Sequence, residues 1–314
     1  MESGADNMIS LRTHRKRSFK TLNAVVALLS LSLWSGSLDS QSPAPTCSQC
    51  AVWNVPQAPF NVYGNTYYVG PHGLSSILIK SDAGLVLIDG ALPQSATQIA
   101  ANIKSLGFNI KDVKLILNSH AHFDHAGGIA ELQRLSGATV VASKWSAAVL
   151  TKGGVAPDDP QFGTLEPIAP IAKVRTLKDR EVLHLGNLAL TPHATPGHTP
   201  GGTSWTWRSC EAGRCLDMVY ADSVSAVSAN GYKYTQRHDP PNMQDFEQSF
   251  TFLDSTPCDV LLTPHPEASD LWDRLDKRNQ GTTPNPMVDP SACKELAVTA
   301  RAALQKRIAS EQAK

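Results

Sequence analysis

Asn118–Gly128 reads NSHAHFDHAGG and puts His120, His122, Asp124 and His125, all able to hold a metal, within six positions. The apolar run Lys114–Leu117 precedes it, and a helical pattern, Ile129–Leu135, follows. The stretch is therefore a loop at the end of a buried strand, where a rigid scaffold can present binding groups. Imidazoles two residues apart can converge on one ion, which leaves Asp124 and His125 to face a second. Gly127 and Gly128 have no Cβ, so the chain can turn tightly beside the ligands. Imidazole and carboxylate are usual zinc ligands, and a catalytic zinc keeps one position open.

Two distant histidines extend the set. His198 lies in TPGHTPGG (Thr195–Gly202) and His265 in LLTPHPE (Leu261–Glu267), each after a strand-like run and between turn-forming residues. Six ligands suffice for two three-ligand sites. The other histidines carry less. His14 is in a basic N-terminal segment, and His184 and His193 alternate with apolar residues as structural positions. His72 sits in a turn and His238 in a polar loop.

Strands are expected over Val62–Val69 and Leu74–Ser81, with Gly70–Gly73 as the turn, and over Gly84–Asp89, a nearly continuous apolar run. A helix with Ile99, Ile103 and Leu106 on one face stops at Gly107. A helix over Ile129–Leu135 ends at Ser136–Gly137, and a strand covers Ala138–Ala142. Gly153–Gly163 (GGVAPDDPQFG) reads as loop. Short strands then cluster at Val182–Leu185, Leu188–Pro192, Thr203–Arg208, Met218–Ala221 and Val260–Leu262. A long C-terminal helix repeats Leu296, Ala300, Leu304 and Ile308. Helices alternate with strands in the first half and strands dominate the second, as in one α/β (α+β) domain of sheets covered by helices.

The 314 residues are 41% hydrophobic, with 28 basic and 28 acidic side chains, so nothing favours a nucleic-acid binder. The first 40 residues differ from the rest. Arg12, Arg15, Lys16, Arg17 and Lys20 precede the mostly apolar Leu22–Trp34, and small residues follow. That order is that of a signal peptide, with an uncleaved membrane anchor as the alternative, although the run is short for a membrane span of about 20 residues. The expected division is residues 1–40 signal, 41–52 lead-in and 53–314 one domain that includes the C-terminal helix, periplasmic or secreted and off the membrane after cleavage. All six cysteines follow the signal, and an even count in an exported chain favours disulfides. Cys210 and Cys215 bracket a short turn and are expected to pair across a hairpin. Cys258 and Cys293 would tie a late strand to the C-terminal helix. Cys47 and Cys50 are left as a local bridge or a disordered pair.

At these residues the chain resembles the metallo-β-lactamase superfamily. The motif from His120 to His125, with YGNTYYVG (Tyr63–Gly70), LIDG (Leu87–Gly90), TPGHTPGGTSWTW (Thr195–Trp207), VYADS (Val219–Ser223) and LLTPHPE, resembles the third subclass of class B β-lactamases. The resemblance runs from about Trp53 to the C-terminal helix. It implies a single-domain, four-layer αβ/βα sandwich. It implies two zinc ions, the first on His120, His122 and His198 and the second on Asp124, His125 and His265, with His120, His122 and Asp124 carrying catalysis. Ser223 stands where other hydrolases of this fold carry a metal-bridging Asp and another subclass a Cys. A register shifted by one would align Asp222 there instead. Ser223 and Ser225 are expected to bind a substrate carboxylate, Gln161 to touch substrate, and Asp89 to brace the ligand loop.

The implied activity is hydrolysis of the β-lactam amide of penicillins, cephalosporins and carbapenems by a monomer, giving antibiotic resistance. Zinc would lower the pKa of its water to about 7 and so provide the nucleophile without a separate base. One fold hosts several chemistries. The alternatives are a lactone, thioester or phosphoester hydrolase and a non-catalytic zinc-binding protein.

Overall fold

Alternation along the strands sends successive buried side chains to different cores. Ile77, Ile79, Val86 and Ile88 join one cluster, whereas Leu78, Leu85 and Leu87 join another. Farther along, Met218, Tyr220, Val260 and Leu262 enter the first cluster, and Val219 and Leu261 enter a third. A sheet that is apolar on both faces must be covered on both. The shared cluster fills the space between two sheets, and the other two lie beneath helices. These are the four layers αβ/βα of the expected fold class.

The structure, a computed structural model, describes residues 47–236 and 243–313. The first sheet runs in chain order: β1 (Phe60–Tyr63), β2 (Thr66–Tyr68), β3 (Ile77–Ser81), β4 (Gly84–Ile88), β5 (Val113–Leu117), β6 (Thr139–Ala142) and β7 (Val174–Thr176). Pairing is antiparallel up to β4 and parallel beyond it. A short helix α1 (Cys50–Trp53) precedes this sheet. The parallel strands are linked by α2 (Ser95–Ser105), by α3 (Phe123–Ala126) with α4 (Ile129–Ser136), and by α5 (Lys144–Lys152). The second sheet holds β8 (Leu183–Leu185), β9 (Leu188–Ala194), β10 (Thr203–Glu211), β11 (Arg214–Tyr220) and β12 (Val260–Leu262). Its spatial order is β12-β11-β10-β9-β8. α6 (Met243–Ser255) links β11 to β12, which pair in parallel, and α7 (Leu271–Asn279) and α8 (Ala292–Gln312) follow.

Several expectations change in detail. The strand read over Val62–Val69 is broken into a hairpin at Gly64, whose φ is +52°. A Cβ on Gly64 would come within 2.6 Å of the Cys210 carbonyl oxygen, so the turn and the close approach both require glycine. The helices α5, α6 and α7 and the strand β7 lie where no element was read. Three disulfides form: Cys47–Cys50, Cys210–Cys215 and Cys258–Cys293. Part of the lead-in is thus α1 with its own bridge. No helix among the described residues is long and apolar enough to cross a membrane. The signal segment, His14 and His238 lie outside the described residues.

This architecture gathers the site. The loops after β4, β5, β11 and β12 leave the C-terminal ends of their strands, where ligands of open α/β sheets collect. The Pro–Gly turn between β9 and β10 brings His198 to the same edge.

Candidate metal centre

The ligand loop is braced before it turns. The Asp89 carboxylate accepts hydrogen bonds from the Ser119 backbone N–H (2.8 Å), the Ser119 hydroxyl (2.6 Å) and the Tyr220 hydroxyl (2.8 Å). Its own backbone is held at φ +59°, a conformation rare for a non-glycine and common at functional sites. Burial, only partly offset by His125 and Ser119, raises its pKa to about 6. Asp89 is thus bonded to the ligand loop through Ser119.

His120, His122 and His198 come together, their ligand atoms all within 4.8 Å of one another. Each has one ring nitrogen already engaged. His120 Nδ1 donates to Asp222 Oδ1 at 2.7 Å, His122 Nε2 to Asp159 Oδ2 at 3.0 Å, and His198 Nδ1 to the Ser225 carbonyl at 2.9 Å. Those bonds fix each tautomer and leave the other nitrogen with a free lone pair. His120 Nε2 is buried with no hydrogen-bond partner. Burial, with the neighbouring His125 and His122, holds the His120 pKa well below its ordinary value; burial likewise brings His198 down to about 3. Both rings are therefore neutral at physiological pH, the form that binds a metal.

A second cluster shares an edge with the first. His120, Asp124 and His125 also present ligand atoms within 4.8 Å of one another. His265 joins through Asp124, its Nε2 lying 3.4 Å from Asp124 Oδ2, and His125 Nε2 lies 3.2 Å from the same oxygen. Burial alone would raise the Asp124 pKa, but His125 and His265 outweigh it and hold the carboxyl well below its usual range. His125 Nδ1 is buried without a partner. Unpartnered buried nitrogens carry a free-energy cost that a cation relieves, so the residues fit a metal centre. All six expected ligands are brought to one place.

The remaining expected site residues lie around it. Gln161 Nε2 is 3.5 Å from His122 Nδ1 and 3.4 Å from His198 Nε2, so its amide faces the lone pairs that a metal would take. The Ser225 hydroxyl is 3.2 Å from His198 Nδ1, and Ser223 lines the adjoining cavity. Asp222 belongs to neither ligand cluster, and its contact with His120 makes it an orienting carboxylate. Outside the centre, His72 stacks on Trp272 at 4.2 Å, and His193 packs on Phe252. His184 is exposed.

Sequence reading did not anticipate Asp159 or Trp53. Asp159 Oδ2 holds His122, and its Oδ1 accepts the backbone N–H of Gln161 at 2.8 Å. Its neighbour Gln161 had been singled out, but a carboxylate in an Asp-Asp-Pro loop carries no mark of a partner 37 residues away. Trp53 packs against His265 (ring centroids 5.3 Å) and Phe123 (6.5 Å), and so walls the second cluster.

Comparison with known proteins gives a consistent result. The model of the metallo-β-lactamase superfamily matches residues 69–273. The Rm3 metallo-β-lactamase is 53% identical with a TM-score of 0.83, covering 85% of this chain and 100% of that one. MEM-A1, a subclass B3 metallo-β-lactamase from a soil metagenome library, is 50% identical with a TM-score of 0.81, covering 83% of this chain and 99% of that one. Among curated proteins, the uncharacterized protein YobT of Bacillus subtilis (strain 168) is 32% identical over 151 residues. That alignment covers 46% of this chain and 61% of YobT, under two thirds of its length.

Proposed function

The chain belongs to the metallo-β-lactamase superfamily, and from that premise we propose that it is an exported two-zinc β-lactamase conferring resistance to penicillins, cephalosporins and carbapenems. The observation that carries the reading is the convergence of five imidazoles and one carboxylate from three distant stretches, in a chain about half identical to two metallo-β-lactamases across nearly their whole lengths. Bound zinc supplies an ionised water near neutral pH and Lewis acidity toward a carbonyl.

The chain's own groups have distinct tasks in this reading. His120, His122 and His198 hold the first ion, and Asp124, His125 and His265 the second. Asp222, Asp159 and the Ser225 carbonyl keep the three imidazoles of the first set in the tautomer that can ligate. Asp124 also accepts a hydrogen bond from the attacking water and so orients it toward the lactam carbonyl. The hydroxyls of Ser223 and Ser225 bind the substrate carboxylate, and the Gln161 amide donates to the substrate. Burial of the ligands other than His265 excludes bulk water and strengthens these interactions. Export is supported by the basic–apolar–small order of the first 40 residues and by three disulfides, which suit an oxidising compartment. The exported form acts as a monomer, in the periplasm or outside the cell.

The test is a panel: a chromogenic cephalosporin, a lactone and a thioester, each with the purified chain before and after chelation. Fast hydrolysis of the cephalosporin alone, lost on chelation and restored by zinc, is expected. Preference for the lactone or thioester contradicts the reading. Ser223→Ala should raise KM for β-lactams and leave kcat nearly unchanged, since the carboxylate is held alike in ground and transition states.

A further inference from the structure

Beside the metal centre lies a cavity of about 330 Å³ whose outer wall none of the proposed catalytic contacts uses. Ser223, Ser225 and His265 form its inner side. The outer wall is one face of α8, made by Leu296, Thr299, Ala300 and Ala303. These positions recur at i, i+3, i+4 and i+7, so they share a face, and the charged Lys294, Glu295 and Arg301 turn away from it. The wall that results is aliphatic, apart from one threonine hydroxyl. The volume falls within the 300–1,000 Å³ range of small-molecule pockets.

The wall is also fixed in place. Cys293 in the first turn of α8 is bonded to Cys258 just before β12. At the other end, Glu311 accepts the backbone N–H groups of Tyr234 and Thr235, at 3.2 and 3.0 Å, and pairs with Arg307 at 2.7 Å. A helix clamped at both ends does not readily shift to refill or enlarge a gap. Side-chain size on its inner face therefore sets the room available.

We infer that this cavity receives the apolar substituent carried by the ring atom adjacent to the carboxylate-bearing carbon of a bicyclic β-lactam, and that α8 sets specificity for it. The inference rests on the proposed function. Ser223 and Ser225, which hold the carboxylate in that reading, line this cavity together with His265, so the ring atom beside the carboxylate-bearing carbon lies at its mouth. A group on it extends toward Leu296 and Ala303. Small residues on α8 leave space for an aromatic or branched group, and the aliphatic lining favours an uncharged one.

The experiment uses two cephalosporins with the same acylamino side chain, differing only at that ring position: hydrogen in one, an aromatic thioether in the other. KM for both is measured on the wild type, Ala303→Phe and Thr299→Trp, with metal content and Tm recorded for each variant. Filling the cavity should raise the KM ratio, substituted over unsubstituted, by about 10-fold or more in whichever variant keeps the wild-type metal content and Tm. Leu296→Ala, which enlarges the cavity, should move the ratio far less. An unchanged ratio in both filled variants, or the same ratio change in Leu296→Ala, overturns the inference while β-lactamase activity stands. Failure of the wild type to hydrolyse either compound overturns the proposed function, and this inference with it.

Discussion

The two halves of the metal centre are built differently. In the set formed by His120, His122 and His198, every imidazole donates its spare N–H to a fixed acceptor, and all three rings are buried. In the set formed by Asp124, His125 and His265, His125 Nδ1 has no acceptor. There the side chain of His265 is 33% exposed and is steadied by Trp53 rather than by a carboxylate. Outer acceptors fix ring orientation and raise ligand basicity. The first set is thus organised before any ion arrives, while the second depends on the ion and on packing for its order. The first ion should bind more tightly, and the second should be the one lost on dilution or mild chelation.

The widest separation is expected from Asp124→Ala, because Asp124 touches both His125 and His265. It should remove one metal equivalent and lower kcat/KM by more than about 100-fold, beyond the range for outer-shell partners. Metal analysis and steady-state kinetics on the same sample check it, and retention of two equivalents would break the comparison. Next come Asp222→Asn and Asp159→Asn, each expected to weaken the first ion by about 10–100-fold. Competition against a chromophoric chelator reads this directly; equal weakening of both ions would erase the distinction between the halves. The smallest effect belongs to Trp53→Ala. It should weaken only the second ion, by less than the roughly 10-fold lower bound for outer-shell carboxylates. A larger loss would show that packing, not ligation, governs that half.

The same contrast explains what the sequence disclosed. His120, His122, Asp124 and His125 are contiguous, so their clustering needs no knowledge of the fold. His198 and His265 betray themselves through proline and glycine at strand ends. The strands buried on both faces are legible because both faces are apolar, as in Leu85–Ile88. The acceptors were harder. Asp222 serves a histidine 102 residues away and Asp159 one 37 residues away, and neither separation leaves a local pattern. Asp222 was weighed only as a metal-bridging residue in a shifted register; its bond to His120 gives it another task. Among the elements, α6 and α7 escaped because their apolar faces are interrupted by charges, as in Leu271–Asn279 (LWDRLDKRN). α5 did have a signal that was passed over: Ser143 caps it by accepting the Ser146 N–H.

The central claim is that two adjacent ions are held by this ring of side chains and that turnover needs them. It is tested most directly by titrating the purified, zinc-loaded chain with chelator while following zinc content and β-lactam hydrolysis together. The account predicts two equivalents at the start, sequential loss in two separable steps, and hydrolysis that disappears with the metal and returns with added zinc. A chain that binds no zinc, or that hydrolyses β-lactams undiminished after both equivalents are gone, contradicts it.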